Sequence, residues 1–403
     1  VRAPGVAKAA APKASTGAGF FLAELTQACQ RGDLDRGEAM FREYVSAGGE
    51  VTVTTYSQLI SAAARLGNAR GADAWFKEMV NDRVAPDAIT YASLMDAAAK
   101  RGELRATERL FERMRSQQLE PRVVEFATLI NAASKAGNMA AAERWFSAMQ
   151  EEGVTPNAVV FTTLINAASR TRNTVAAERF YGAMLEAKVK PQVFAFNDLI
   201  SLGGKLGSSA FAQKWWTEMH EQGITPTLIS FSSMINAHAR AGEIEKAEAM
   251  FREMVGRVTL TDPKAFGPIL TFYAKRGNVT QAEKWNDRMM QMGFRSNIIM
   301  MTQLLDCYAN AKPKAVDRAE SVVQYMQFEG ITPNQAAINA LRKAVGTERC
   351  KEICAEFGVT PSFRRMSEKD SDVQKRLRFR NGRIVDEMRN DPERRATAMK
   401  GTV

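Results

Sequence analysis

The stretch Val123–Asn157 reads VVEFATLINAASKAGNMAAAERWFSAMQEEGVTPN, and its pattern returns every 35 residues along the chain. Pro86, Pro121, Pro156, Pro191 and Pro226 mark the period most plainly. Placing position 1 two residues after each proline gives units 53–87, 88–122, 123–157, 158–192, 193–227, 228–262 and 263–297. A degenerate unit, 18–52, precedes them. Unit 298–334 follows with two extra residues near Lys312 and Pro313, and 335–362 is a shortened last unit.

Inside a unit the apolar spacing alternates three and four, the period of a helix rather than of a strand. Position 4 is Tyr56, Tyr91, Phe126, Phe161, Phe196, Phe231 and Phe266, and positions 7 and 8 hold apolar pairs such as Leu59-Ile60 and Leu129-Ile130. Glycine at position 15, as in Gly137 and Gly207, ends this first helix in the left-handed conformation. A second helix follows, with alanine at position 20 for close helix approach, aromatics at position 24 from Phe76 to Phe251, and methionine at position 27 in eight successive units from Met79 to Met326. Such a stripe is core rather than a cofactor site. The proline at position 34 closes the unit, because it pushes the preceding residue out of helical geometry. One helical pair cannot bury its apolar faces alone, whereas stacked pairs share a continuous core and need unusual units at the ends. The fold class predicted is all-α, a right-handed superhelical solenoid of tandem helix-turn-helix repeats with a concave groove. Its domain plan is a leader at 1–17, the array at 18–362 and a basic tail at 363–403.

Composition bounds the function. Hydrophobic residues make up 45% and charged residues 25% of the 403, the balance of an ordered chain. No stretch approaches the roughly 18 apolar residues of a membrane-spanning helix. The net charge of +10 is concentrated at the ends: Arg2, Lys8 and Lys13 stand in residues 1–17 without an acid, and residues 363–403 hold twelve Lys/Arg against seven Asp/Glu. The 345 residues between carry only +2, so affinity for a polyanion must come from cations gathered on one surface. The acid-free start at Val1–Gly19 is either the end of a processed transit peptide or a flexible leader. Four cysteines do not make a disulfide framework. Cys350 and Cys354 lack further ligands, with His220 and His238 far away in sequence, and read as small core residues rather than a zinc site. No cofactor or metal is expected.

Val123-Val124-Glu125-Phe126-Ala127-Thr128-Leu129-Ile130, Lys135-Ala136-Gly137, Ala142-Glu143, Phe146, Met149 and Gly153-Val154-Thr155-Pro156-Asn157 resemble the pentatricopeptide repeat, and the neighbouring units do likewise. The resemblance covers roughly 18–362. Tetratricopeptide repeats differ in period and pattern. The resemblance implies an organellar protein, of mitochondrion or chloroplast, that binds single-stranded RNA at one base per repeat. Positions 5 and 35 then read the base, and position 2 packs against it. The family's deaminase-like, nuclease and MutS-related additions have no counterpart in the histidine- and cysteine-free 41-residue tail, so no enzymatic activity is expected.

Positions 5, 9 and 13 lie along one side of the first helix, away from the apolar stripe. Position 13 is Arg65, Lys100, Lys135, Arg170, Lys205, Arg240 and Lys275, a cation in seven consecutive repeats. Cations also favour a helix C-terminus regardless of ligand. Seven in register beside a polar column at position 9, in a nearly neutral body, point to phosphate contact. Full engagement predicts a salt slope near −5, from about −0.7 per phosphate. Base sandwiching falls to Ile89, Val124, Val159, Phe194, Ile229 and Ile299. Base recognition falls to Ser57 with Asp87, Ala127 with Asn157, Thr162 with Gln192, Asn197 with Thr227, Ser232 with Asp262, and Thr302 with Asn334. The family's code leans to guanine for the two Ser/Asp pairs, to adenine for Thr302 with Asn334 and to a pyrimidine at Asn197. Asp and Asn at position 35 are also preferred N-caps, a compatible role. Ala92 with Arg122, Thr162 with Gln192 and Gly267 with Asn297 depart from the code, which favours a weakly selective binder. The competing reading is a structural subunit of an organellar ribonucleoprotein such as the ribosome, or a protein-protein scaffold. In the tail, Phe363-Arg364-Arg365 and the basic run Lys375–Arg380 suit RNA or a partner, or else form a solvated extension.

Overall fold

The computed structural model describes residue 21 and residues 23–28, 31–259 and 262–357. The leader, the basic tail and Cys29 lie outside the described residues. Among the described residues all regular structure is helical, and the chain forms two compact units, one ending at Phe272 and the other beginning at Tyr273.

The first compact unit is a stack of helical hairpins. First helices Val53–Arg65, Ala88–Lys100, Val123–Lys135, Ala158–Thr171, Val193–Leu206 and Leu228–Ala241 alternate with second helices Ala69–Asn81, Leu104–Ser116, Met139–Glu151, Thr174–Glu186, Ser209–Glu221 and Ile244–Arg257. Each first helix packs on its own second helix, and from Val53–Arg65 onward on the first helix of the next repeat. Position 35 opens the first helix as expected: Asp87 accepts from the Thr90 amide at 2.8 Å, and Asn157 from Val159 and Val160 at 3.1 and 3.2 Å. Position 16 does the same for the second helix, through Asn68, Asn138, Asn173 and Ser208. Each such cap is worth about 1 kcal/mol.

Tyr56, Tyr91, Phe126, Phe161, Phe196 and Phe231 are each at most 2% exposed, and Met79, Met114, Met149, Met184, Met219 and Met254 are fully buried. The position-24 aromatic of one repeat meets the position-4 ring of the next edge-on, in pairs such as Phe111–Phe126 at 5.4 Å, Phe146–Phe161 at 5.7 Å and Trp216–Phe231 at 5.0 Å. The core thus runs through the junctions between repeats rather than inside any one of them.

Two local departures have clear causes. Unit 158–192 carries Arg172 in place of the position-15 glycine, and Arg172 takes the left-handed conformation itself at φ 57°. In unit 263–297 the first helix opens as a 3-10 turn, Pro263–Phe266, before continuing as Gly267–Arg276. Pro263 and Pro268 lack amide donors there, and the tighter turn absorbs that loss.

The second compact unit contains helices Val279–Gln291, Ile298–Asn310, Val316–Phe328, Gln335–Val345 and Thr347–Glu356. The two extra residues near Pro313 lie between Ile298–Asn310 and its partner helix. Cys350 and Cys354 are fully buried, and burial pushes the Cys350 thiol up to about 12. No group of three metal-ligating side chains occurs among the described residues, and none of their helices is long and apolar enough to cross a membrane.

Candidate nucleic-acid interface

Position 2 sits in the first turn of each first helix, on the side turned away from the core. Ile89, Val124, Val159, Phe194 and Ile229 are 64%, 60%, 61%, 59% and 59% exposed, an apolar column in register along the first compact unit. Ile299, in the second unit, is exposed to the same degree. Singly exposed apolar side chains are ordinary, but a row at one repeat position marks a contact surface.

Between Val159, Phe194 and Ile229 lies a groove of about 540 Å³. Its polar lining is Asn131, Thr162, Thr163, Asn166, Gln192, Asn197 and Asp198. Residues expected to sandwich bases and residues expected to read them are therefore brought together here.

The paired reading positions meet in some repeats and not in others. Ser57 donates to Asp87 at 3.3 Å, and both hydroxyl and carboxylate bond the Thr90 hydroxyl at 2.8 and 2.7 Å. Asn197 is joined to Thr227 through Ser230, whose hydroxyl donates to the Asn197 side chain at 2.6 Å and lies 3.2 Å from that of Thr227. Thr162 and Gln192 line the same groove. Ser232 donates to the Leu228 carbonyl of its own helix instead, while Asp262 bonds the Lys264 amide and side chain. Thr302 likewise turns to the Ile298 carbonyl, and Asn334 caps Ala337. Ala127 has no polar group to offer beside Asn157, which serves as an N-cap.

The position-13 cations stand at the far end of the first helices, about 16 Å along the axis from position 2 at 1.5 Å per residue. Several reach back to the helix end of the preceding repeat: Lys100 to the Ala64 carbonyl at 3.4 Å, Lys135 to that of Lys100 at 3.1 Å, Arg170 to that of Lys135 at 3.4 Å, and Lys205 to Ser169 at 2.9 Å through the hydroxyl. They thereby satisfy terminal carbonyls and oppose the negative helix end. Lys100 also pairs with Asp96 at 2.8 Å. Position 9 ties repeats as well, with Ser61 bonding Ser93 at 2.6 Å and Asn166 donating to Asp198 at 2.8 Å.

Asp198, at position 6, escapes a reading of positions 2, 5, 13 and 35, because only the stacked geometry shows it lining the groove. Burial raises its carboxyl above the usual aspartate range, with the Asn166 hydrogen bond and the Lys205 charge acting in the opposite direction. Burial also lowers Lys205, opposed by Asp198 and reinforced by Arg170 and Arg172. A raised carboxyl means that stability is lost as pH rises through the interval above the unfolded aspartate value. Asp198→Asn keeps an acceptor for Asn166 without that ionisation. The variant is expected to melt above the parent at pH 7 and to lose this advantage as pH falls into the aspartate range. An equal difference at all pH values in thermal denaturation would count against it.

The pentatricopeptide repeat domain model matches residues 39–101, 75–136, 146–206 and 284–348, which together exceed half of the chain. The chain belongs to the pentatricopeptide repeat family. The PPR repeat family model also matches residues 121–170, and the PPR repeat model matches 222–255. No curated protein matches the chain. Among solved structures, the pentatricopeptide repeat protein PPR10 in complex with an 18-nt psaJ RNA element aligns with a TM-score of 0.66 at 21% identity, over 80% of this chain and 47% of that one. PPR10 from maize aligns at a TM-score of 0.50 and 20% identity, over 87% and 60% of the two chains. This pentatricopeptide repeat chain thus spans about half the length of the PPR10–RNA structure it matches, and the likeness speaks to the fold.

Proposed function

We propose that the chain is a non-catalytic, single-stranded RNA-binding protein of a mitochondrion or chloroplast, gripping RNA on the face of its first helices in RNA stabilisation, processing or translation. The observation that carries this reading is the column of five apolar position-2 side chains, each about 60% exposed, beside a groove floored by amides and hydroxyls. Folding alone gives no reason to leave such side chains in water at the same place in five repeats. Stacked bases supply flat apolar faces that fit between them, and base edges match the donors and acceptors below. That PPR10 is seen with an RNA element supports the same reading.

Unpaired RNA exposes those faces, whereas a duplex hides them. The chain is therefore expected to retain a single-stranded RNA in a gel-shift titration and to release it when the complementary strand is added. Equal affinity for the duplex, or no affinity for the single strand, would overturn the proposal.

A second reading, a structural subunit of a large organellar ribonucleoprotein, is favoured by the reading positions themselves. Ser232, Asp262, Thr302 and Asn334 are occupied by local bonds, and Ala127 presents no polar group. Such an array holds backbone and stacked bases with little sequence preference. Crosslinking of bound RNA in the organelle separates the two: one short shared site supports a transcript-directed factor, and continuous ribosomal RNA coverage supports the subunit.

A further inference from the structure

The second helices repeat a junction of their own. An aromatic at position 23 wedges edge-on against the position-24 ring of the preceding repeat: Trp75 on Phe41 and Trp145 on Phe111 at 5.2 Å, Phe180 on Phe146 at 5.8 Å, and Trp215 on Tyr181 at 4.7 Å. A cation covers each wedge: Arg42 over Trp75 at 4.9 Å, Arg144 over Trp145 at 5.4 Å, Arg179 over Phe180 at 4.8 Å and Lys214 over Trp215 at 4.9 Å. In three of these junctions the cation is tied to a glutamate at position 21 of the preceding repeat, in the pairs Arg144–Glu108, Arg179–Glu143 and Lys214–Glu178.

The junction ahead of unit 88–122 lacks its wedge while keeping a cation at position 22. Leu110 stands at position 23 of unit 88–122, and a cavity of about 420 Å³ opens there among Ala69, Asp73, Arg101, Arg109 and Arg113. The ring that a wedge would meet, Phe76, instead carries the Arg113 guanidinium at 5.2 Å. Asp73 and Arg109 occupy the acid and base places of the ladder and form no ion pair. Units 228–262 and 298–334 also lack the aromatic, but there Met250 and Val322 stand beside Ala249 and Ser321 rather than beside a cation.

We propose that this cavity is a docking site for a partner protein that inserts one aromatic side chain with a carboxylate beside it. The neighbouring repeats show the kind of filling such a junction takes, an aromatic ring beneath a cation. Charge narrows the partner further. Glu103 is held by Arg101, which leaves Arg109 to take an incoming carboxylate. With Arg101 engaged by Glu103 and Arg113 lying over Phe76, the lining suits a single carboxylate better than the continuous anion of a phosphodiester chain, so a protein segment fits better than nucleic acid. The site lies between two second helices, with Leu94, Ala97 and Ala98 of the first helix Ala88–Lys100 also lining it, and stands independently of the RNA-binding reading.

Fluorescence polarisation of a labelled peptide with tryptophan between aspartate and glutamate, titrated with the full chain, tests this. Saturable binding is expected. It should weaken at least about tenfold in Leu110→Trp, which fills the cavity with the residue used next door, as loss of an anchor pocket does. Arg109→Glu, at an exposed side chain, should weaken it too, and a peptide with alanine for tryptophan should not bind. Circular dichroism checks that both variants remain folded. No saturable binding, or binding unchanged by Leu110→Trp, overturns the proposal. An oligouridylate whose affinity falls in Leu110→Trp while the peptide does not bind would make the occupant a nucleotide and overturn it equally.

Discussion

Alanine at Lys100, Lys135, Arg170 and Lys205 together is expected to flatten the salt dependence of single-stranded RNA binding by about three units of slope, from about −0.7 per lost phosphate contact. Affinity at low salt should fall by several orders of magnitude and converge with that of the parent at high salt. The four side chains lie in consecutive repeats on one edge of the first-helix face, so a backbone following the array meets them in order. The same residues touch carbonyl oxygens of the preceding repeat at 3.1–3.4 Å, and Lys205 also donates to the Ser169 hydroxyl at 2.9 Å. Contacts of this kind at a helix end contribute little to stability, roughly 0.3–1 kcal/mol each. A melting temperature close to that of the parent, with a changed salt slope, separates phosphate contact from helix capping. An unchanged slope would show that the column acts only within the protein.

The largest effect on stability is expected at Phe161. The ring is 2% exposed and packs edge-on against Phe146 of the preceding repeat at 5.7 Å. Phe161→Ala removes a core ring at a junction and leaves a cavity, at a cost of about 3–5 kcal/mol. Because repeat arrays are held by nearest-neighbour interfaces, the loss should appear locally before it appears globally. Hydrogen exchange is expected to accelerate in Met139–Glu151, Ala158–Thr171 and Thr174–Glu186 while Val53–Arg65 keeps its protection. Uniform acceleration across the first compact unit would mean that the stack unfolds as one body.

Much of the fold was legible because the chain states its pattern so many times. The frame set by Pro86, Pro121, Pro156, Pro191 and Pro226 places position 1 at the observed first residue of the first helices from Val53 to Leu228. The apolar position-2 column was legible too, since it interrupts a polar face at a fixed register. What the sequence does not display is contact between repeats. That Asn166 meets Asp198, that Asn197 is held by Ser230, and that Lys135 reaches the Lys100 carbonyl follow from how one hairpin stacks on the next. Unit 263–297 fits the period yet opens as a 3-10 turn, because its prolines act through backbone donors that an apolar pattern does not register. The reading pairs fall between these cases. Residue type at positions 5 and 35 is plain, but whether the two side chains face each other depends on competing bonds such as Ser232 to Leu228.

The backward reach of Lys100, Lys135, Arg170 and Lys205 gives the stack a polarity. Each of these hairpins offers a donor to its predecessor, and the Glu108–Arg144, Glu143–Arg179 and Glu178–Lys214 pairs run in the same sense. A head-to-tail contact of this kind presents a donor face on one side of a hairpin and an acceptor face on the other. Whole hairpins can therefore be gained or lost without changing the chemistry of the new seam. The two ends of a shortened array nonetheless differ: cutting from the front leaves a cation seeking a carbonyl, and cutting from the back leaves a helix end without its cap. Lineages that lengthen or trim such arrays should accordingly tolerate loss at the front more readily than at the back.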